Sequence, residues 1–134
     1  MSKQKPASIS PCPCGIPRPY PDCCGRWHDG ALALQAPTAE ALMRSRYSAF
    51  VLDKLPYLLA TWHPSTRPAS FGPNPPGLKW LGLDVKAAAD QDTDHATVEF
   101  VARSRLDGRA SRLHETSRFV REGGQWFYVD GDLR

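Results

Sequence analysis

Apolar positions recur at helical spacing from residue 39 onward. Ala39, Leu42, Met43, Tyr47, Phe50 and Val51 fall on one stripe, which predicts a helix. Thr38 stands before it as an N-cap, and Glu40 in the first turn complements the helix dipole. Arg46 falls on the same stripe and breaks the local pattern. A second, shorter helix is expected from near Asp53, with Pro56 tolerated in its first turn and Leu55, Leu58, Leu59 and Trp62 on its face. Pro64 stops it at His63, placing that histidine to cap the helix end. A loop rich in proline and glycine follows over 64–77, with Phe71 as its expected anchor. The period then changes to two. Strands are expected over 80–85, 97–105, 109–121 and 125–130, with Asp107-Gly108 and Gly123-Gly124 as hairpin turns. The pattern predicts an α+β architecture: two or more helices packed on a curved antiparallel meander of four strands.

The N-terminal segment follows neither period. Six prolines lie between Pro6 and Pro21, and no helix or central strand survives that density. Residues 6–25 are therefore loop-built, and a loop of that length needs something to hold it. All four cysteines of the chain lie there, as Cys12-x-Cys14-x8-Cys23-Cys24. A disulfide between the neighbouring Cys23 and Cys24 would be strained, and the start of the chain reads as no export signal. Four thiolates suit one Zn²⁺ in a closed, tetrahedral, structural site. Gly15 and Gly25 follow the two cysteine pairs, where tight turns are needed. Arg18, Arg26 and Lys5 are placed to offset the thiolate charge, and His28 reads as a surface histidine beside Trp27.

Composition narrows the function classes. The chain has 134 residues, 41% hydrophobic and 23% charged, with a formal net charge of +3. That balance fits a globular fold and excludes disorder throughout. No apolar run reaches the roughly 18 residues that a membrane-spanning helix needs, so no membrane is expected and a cytoplasmic location is. The basic residues are spread along the chain, and nucleic acid is not an expected partner. Asp90, Asp92 and Asp94 have the opening spacing of a calcium loop, but His95 and Val101 stand where glycine and glutamate are required. A solvated turn is expected instead.

The cysteine spacing resembles the SEC-C motif, the metal-binding tail of the SecA translocation ATPase. Later segments resemble the YchJ-like family: Leu42-Met-Arg-Ser-Arg-Tyr-Ser-Ala-Phe, Tyr57-Leu-Leu-Ala-Thr-Trp-His-Pro, His114-Glu-Thr-Ser-Arg-Phe and Trp126-Phe-Tyr-Val-Asp-Gly. The resemblance runs from about Pro11 to Asp132. It implies a SEC-C zinc module over residues 1–36 and a nuclear-transport-factor-2-like (NTF2-like) cone over 37–134. Ile16-Pro17 stands where relatives often carry Ser-Gly.

Such a cone leaves a pocket between helices and sheet, and Arg46, Tyr47, Trp62, His63, His114 and Asp130 are its candidate lining. A buried Arg46 needs a carboxylate, for which Glu115, Asp130 and Glu99 are the candidates. His114 and Asp130 would suit acid/base work if they shared the pocket. Three functions follow. The first is a non-catalytic zinc-binding protein whose module docks an unidentified protein partner. The second is a small-molecule-binding cone or enzyme. The third is nucleic-acid contact through the zinc module, with Tyr20 and Trp27 stacking on bases.

Overall fold

The computed structural model describes residues 11–134; Lys5 and the first ten residues of the expected 1–36 module lie outside the described residues. Among the described residues a single 3₁₀ turn, Tyr20–Asp22, lies inside the stretch expected to be loop-built, and three α-helices follow it before the sheet: α1 (Gly25–His28), α2 (Ala39–Val51) and α3 (Leu55–Ala60). Four strands follow: β1 (Lys79–Asp90), β2 (His95–Leu106), β3 (Arg109–Glu122) and β4 (Gln125–Leu133). They pair antiparallel in the order β1-β2-β3-β4, giving the α+β meander that the period change predicts.

Local chemistry sets the boundaries. The Thr38 hydroxyl accepts from the Ala41 amide at 3.0 Å and starts α2. Asp107 and Gly108 have φ of 52° and 78°, the left-handed pair that a tight hairpin requires. Strand β1 runs past the expected end at Val85, because pairing to β2 carries Ala87, Ala88 and Ala89, residues of weak strand propensity. Helix α3 is shorter than expected. Asp53 sits at φ 55°, so the helix begins only at Leu55. It ends at Ala60 because the chain then bonds to β4: Tyr128 N–H donates to Thr61 O, and His63 N–H to Tyr128 O, both at 2.8 Å. His63 therefore caps no helix. Its ring bonds Ser65 and Glu122 instead.

Bulges curve the sheet, with register shifts at Trp80/Gly82, Val85/Ala87 and Arg118/Phe119. Its inner face carries Leu83, Val98, Phe100, Phe119 and Trp126. These join Leu42, Met43 and Tyr47 of α2, Leu58 of α3 and all four cysteines in one core. The core thus crosses the boundary at residues 36 and 37. The loop over 64–77 is held at three points: the Thr66 hydroxyl donates to the Val129 carbonyl, Phe71 stacks on Phe50, and Asn74 bonds the Phe50 carbonyl and the Asp53 carboxylate. The 91–94 segment is a turn in which Asp92 accepts from the Asp94 amide and bonds the His95 ring.

Candidate functional site

The four cysteine sulfurs converge. They lie within 4.8 Å of one another, all buried, in an arrangement that could hold a metal ion. The Cys14 and Cys23 sulfurs are 3.7 Å apart, far beyond a disulfide bond. With metal–sulfur bonds of about 2.3 Å, a tetrahedron has edges of roughly 3.8 Å, so the donor set fits the size of a zinc tetrathiolate.

The backbone explains the convergence. Cys12 N–H donates to Arg18 O at 2.8 Å and closes the loop between the pairs. Gly15 turns the chain at φ 96°, and a Cβ on Gly25 would meet the Tyr20 carbonyl at 2.8 Å. Sulfurs this close do not all ionise without a cation. Hydrogen bonds from Cys14 and Cys24 pull the Cys12 thiol down, while burial and its neighbours' charge push Cys23 up to about 11. The cluster holds its charge on few sulfurs until a cation is added, which reverses that balance.

Helix α2 closes the cluster from behind. The Ser48 hydroxyl lies 3.4 Å from the Cys12 sulfur, and Arg44 Nη1 donates to the Cys14 carbonyl at 3.1 Å. Arg26 Nε donates to the Cys23 carbonyl and its guanidinium stacks on Trp27. The sequence pointed to Arg26 but missed Arg44, which is thirty positions away from Cys14.

His28 corrects an expectation. It is only 8% exposed and is no surface residue. Nε2–H donates to the Ser45 carbonyl at 2.8 Å, and Nδ1 accepts from the Tyr20 hydroxyl at 2.5 Å. Both ring nitrogens are occupied, so the ring ligates nothing. Burial lowers its pKa and favours the neutral form that this bonding needs. Tyr57 packs edge-on against the ring and bonds Ser45 Oγ at 2.7 Å. The two aromatics expected to stack on bases are thereby used internally: Tyr20 is bound to His28, and Trp27 is buried.

On the other side of α2 the helices and the sheet form a half-open chamber of about 250 Å³. Phe50, Trp80, Phe100, Leu113 and Phe119 supply apolar wall; Arg46, Glu115, Ser117 and Tyr128 supply the polar part. Of the expected lining residues, Arg46, Tyr47 and Trp62 are in the wall. His63, His114 and Asp130 are outside it. Strand parity explains His114: Leu113, Glu115, Ser117 and Phe119 face inward, so His114 faces outward and bonds Glu99 at 2.7 Å. Asp130 shares the parity of Tyr128, but the bulge that pairs Phe119 with Tyr128 and Arg118 with Asp130 turns it out. It accepts from Arg118 at 2.6 Å. No His114–Asp130 pair exists.

Arg46 is 6% exposed. Its expected carboxylate partner is absent: no acidic group of the described residues lies within 4.0 Å. Glu99 and Asp130 are on the outer face with other partners. Glu115 is inside but accepts from the Ser117 hydroxyl at 2.5 Å and from Tyr128 at 3.3 Å. Nη1 of Arg46 donates instead to the Leu58 carbonyl at 2.8 Å and to Thr61 Oγ1 at 2.7 Å. Its guanidinium carbon lies 5.2 Å from the Trp62 ring centre and 4.8 Å from that of Tyr128. Burial lowers its pKa to about 10, which leaves it charged at neutral pH. Burial likewise raises Tyr128 to about 12, so its hydroxyl stays a donor to Glu115.

Comparison with known proteins gives this geometry a context. Residues 38–131 match the family described as YchJ, middle NTF2-like domain. A UPF0225 protein of Bordetella pertussis is 68% identical over 132 residues, covering 98% of this chain and 99% of its own. Another, from Methylibium petroleiphilum, is 65% identical over 123 residues, covering 92% of this chain and 88% of its own. The solution structure of a SEC-C motif containing protein from Rhodopseudomonas palustris superposes with a TM-score of 0.78 at 32% identity, covering 92% of this chain and 98% of that one. The crystal structure of a SEC-C motif containing protein from Psychrobacter arcticus gives 0.76 at 33% identity, covering 95% and 84%.

The bonding of Arg46 makes a stability prediction. Arg46→Met breaks no ion pair; it leaves the Leu58 carbonyl and the Thr61 hydroxyl short of a donor. Urea denaturation should show a loss of about 1–3 kcal/mol, the range for unsatisfied buried polar groups. A loss of about 3–5 kcal/mol, the cost of an orphaned buried charge, would show that a carboxylate depends on it after all.

Proposed function

The chain belongs to the YchJ family, whose middle domain is NTF2-like, and on that footing we propose that it is a non-catalytic, zinc-braced binding protein whose cone chamber takes a small organic ligand. The observation that carries the reading is the chamber itself. The cone is lined with aromatic rings yet keeps about 250 Å³ of space beside a buried, charged arginine. A concave, mostly apolar space with a few polar groups is the usual form of a ligand site. No pair of groups in the wall has the separated acid and base roles that would argue for catalysis.

Zinc is the metal this reading assigns to Cys12, Cys14, Cys23 and Cys24. An all-thiolate, buried set of this size suits it, and two structural neighbours carry the SEC-C motif. Bound there, Zn²⁺ would stabilise the four thiolates and clip the proline-dense segment to α2. Thiolates held by zinc rather than paired as disulfides suit a reducing compartment, so a cytoplasmic location belongs to the same reading; no helix among the described residues is long and apolar enough to cross a membrane. The protein partner suggested by the SEC-C resemblance would have to dock on the outer loop, where Pro17, Arg18 and Pro21 are exposed. The opposite side of the module is occupied by α2.

Two measurements test the proposal. Purified protein should hold one zinc per chain by elemental analysis, and Cys23→Ser should lose it. Reduced, metal-replete protein without zinc would refute the assignment. For the chamber, a small apolar probe such as indole at ten times its dissociation constant should stabilise by about 1.4 kcal/mol, which is roughly 4 °C in melting temperature for a chain of this size. Ala102→Leu, which fills the chamber from the sheet side, should remove that shift. No shift in the wild type at millimolar probe, or an undiminished shift in the variant, would place ligand binding elsewhere.

A further inference from the structure

The polar part of the chamber has unused bonding capacity at two points of opposite charge. Nη1 of Arg46 is satisfied by Leu58 and Thr61, but Nε and Nη2 donate to no described residue. Those two nitrogens are not sealed in: among the described residues, the Trp80 indole nitrogen is the sole fully buried side-chain nitrogen or oxygen without a partner. The free edge of a chamber-lining guanidinium is therefore open. Nε and Nη2 together form one of the two edges on which a guanidinium binds a planar carboxylate bidentately. The rings of Trp62 and Tyr128 hold its plane.

Glu115 faces the same space. Its Oε2 accepts from Ser117 and Tyr128, while Oε1 has no donor. The carboxylate is seated against Gly131, where any added side chain would collide with it. Glu115 and Arg46 do not form an ion pair, although the Glu115 charge acts favourably on the Arg46 guanidinium. Two opposite charges that line one small cavity, each with free valence and neither bonded to the other, form a dipolar receptor.

Resting on the chamber reading, we propose that the ligand is a zwitterionic amino acid with an apolar side chain. Its carboxylate takes the Nε/Nη2 edge of Arg46. Its ammonium donates to Oε1 of Glu115. Its side chain lies in the apolar part formed by Phe50, Trp80, Phe100 and Phe119. A simple anion would meet Arg46 but face the Glu115 charge; a simple cation would do the reverse. A zwitterion compensates both charges, which matters because an unpaired charge in a buried site is costly. Size agrees: an apolar cavity of roughly 150 Å³ already accommodates benzene, so about 250 Å³ leaves room for the head group.

Isothermal titration calorimetry on the full chain at neutral pH tests this with L-leucine, L-phenylalanine, 3-phenylpropanoate and 2-phenylethylamine. At least one of the two amino acids should bind, and both one-charge analogues should bind at least tenfold more weakly than it does. Glu115→Gln and Arg46→Lys should each weaken the amino acid at least tenfold. Glu115→Gln should also narrow the gap to 3-phenylpropanoate, an effect that general destabilisation does not produce. If 3-phenylpropanoate binds as tightly as the amino acids, the site is an anion site and the proposal fails. Equal or tighter binding of 2-phenylethylamine, making it a cation site, overturns it likewise. If none of the four binds while indole still raises the melting temperature, the zwitterion is wrong and the chamber stands. If indole fails too, both readings fall.

Discussion

Helix α2 is buried on both sides, and the rest of the molecule depends on that. One side meets the cysteine cluster through Ser48, Arg44 and the Ser45 carbonyl. The other meets the cone through Met43, Arg46, Tyr47 and Phe50. Ser45, Ser48 and Arg46, buried on this helix, are each tied to a neighbouring element or turn by at least one hydrogen bond. Ser45 bonds Leu42 and Tyr57, Ser48 the Cys12 sulfur, and Arg46 the end of α3. These bonds fix the rotation of α2, and its rotation fixes where the Arg46 guanidinium enters the chamber.

The N-terminal segment could not brace α2 without help. Its prolines leave it only a 3₁₀ turn at Tyr20–Asp22 and the single turn of α1, too little regular structure to hold it in place. Four sulfurs held together by a metal would supply the cohesion that secondary structure and packing otherwise supply. The Tyr20–His28–Ser45 chain adds a polar link beside the sulfurs, with the histidine held neutral by its burial. The cysteine cluster and the chamber therefore lie on the two faces of one helix. Loosening the first should disturb the second without any ligand touching the metal.

Much of this was legible in the sequence, and the failures have physical causes. The hairpins, the meander and helix α2 follow from turn chemistry and periodicity, because Thr38, Asp107-Gly108 and Gly123-Gly124 act locally, whereas the single turn of α1 was not expected. The cysteine set follows from spacing and residue type. The pocket was legible on α2 and at Trp62, but not on the sheet. A single bulge reverses Asp130, and parity sends His114 outward while Glu115 turns in. Glu115 was visible as a candidate partner of Arg46, but its role as a separate pole of the chamber was not. That role depends on Ser117, Tyr128 and Gly131, which strand pairing and the β4 bulge bring to it. His28 was misread because its environment is assembled from Tyr20, Ser45 of α2 and Tyr57 of α3, none of them its neighbour in sequence.

The central claim is that cluster, helix α2 and cone form one cooperative unit. Amide hydrogen exchange of the intact protein, followed residue by residue with Zn²⁺ added and then with a chelator in excess, tests it most directly. The account predicts that protection falls together at Cys24–His28, at Leu42–Ser48 of α2 and at Tyr128 of β4, which are linked by the bonds described above. Loss of protection confined to the cysteine segment, with α2 and β4 as protected as before, would contradict it and make the metal module an independent appendage.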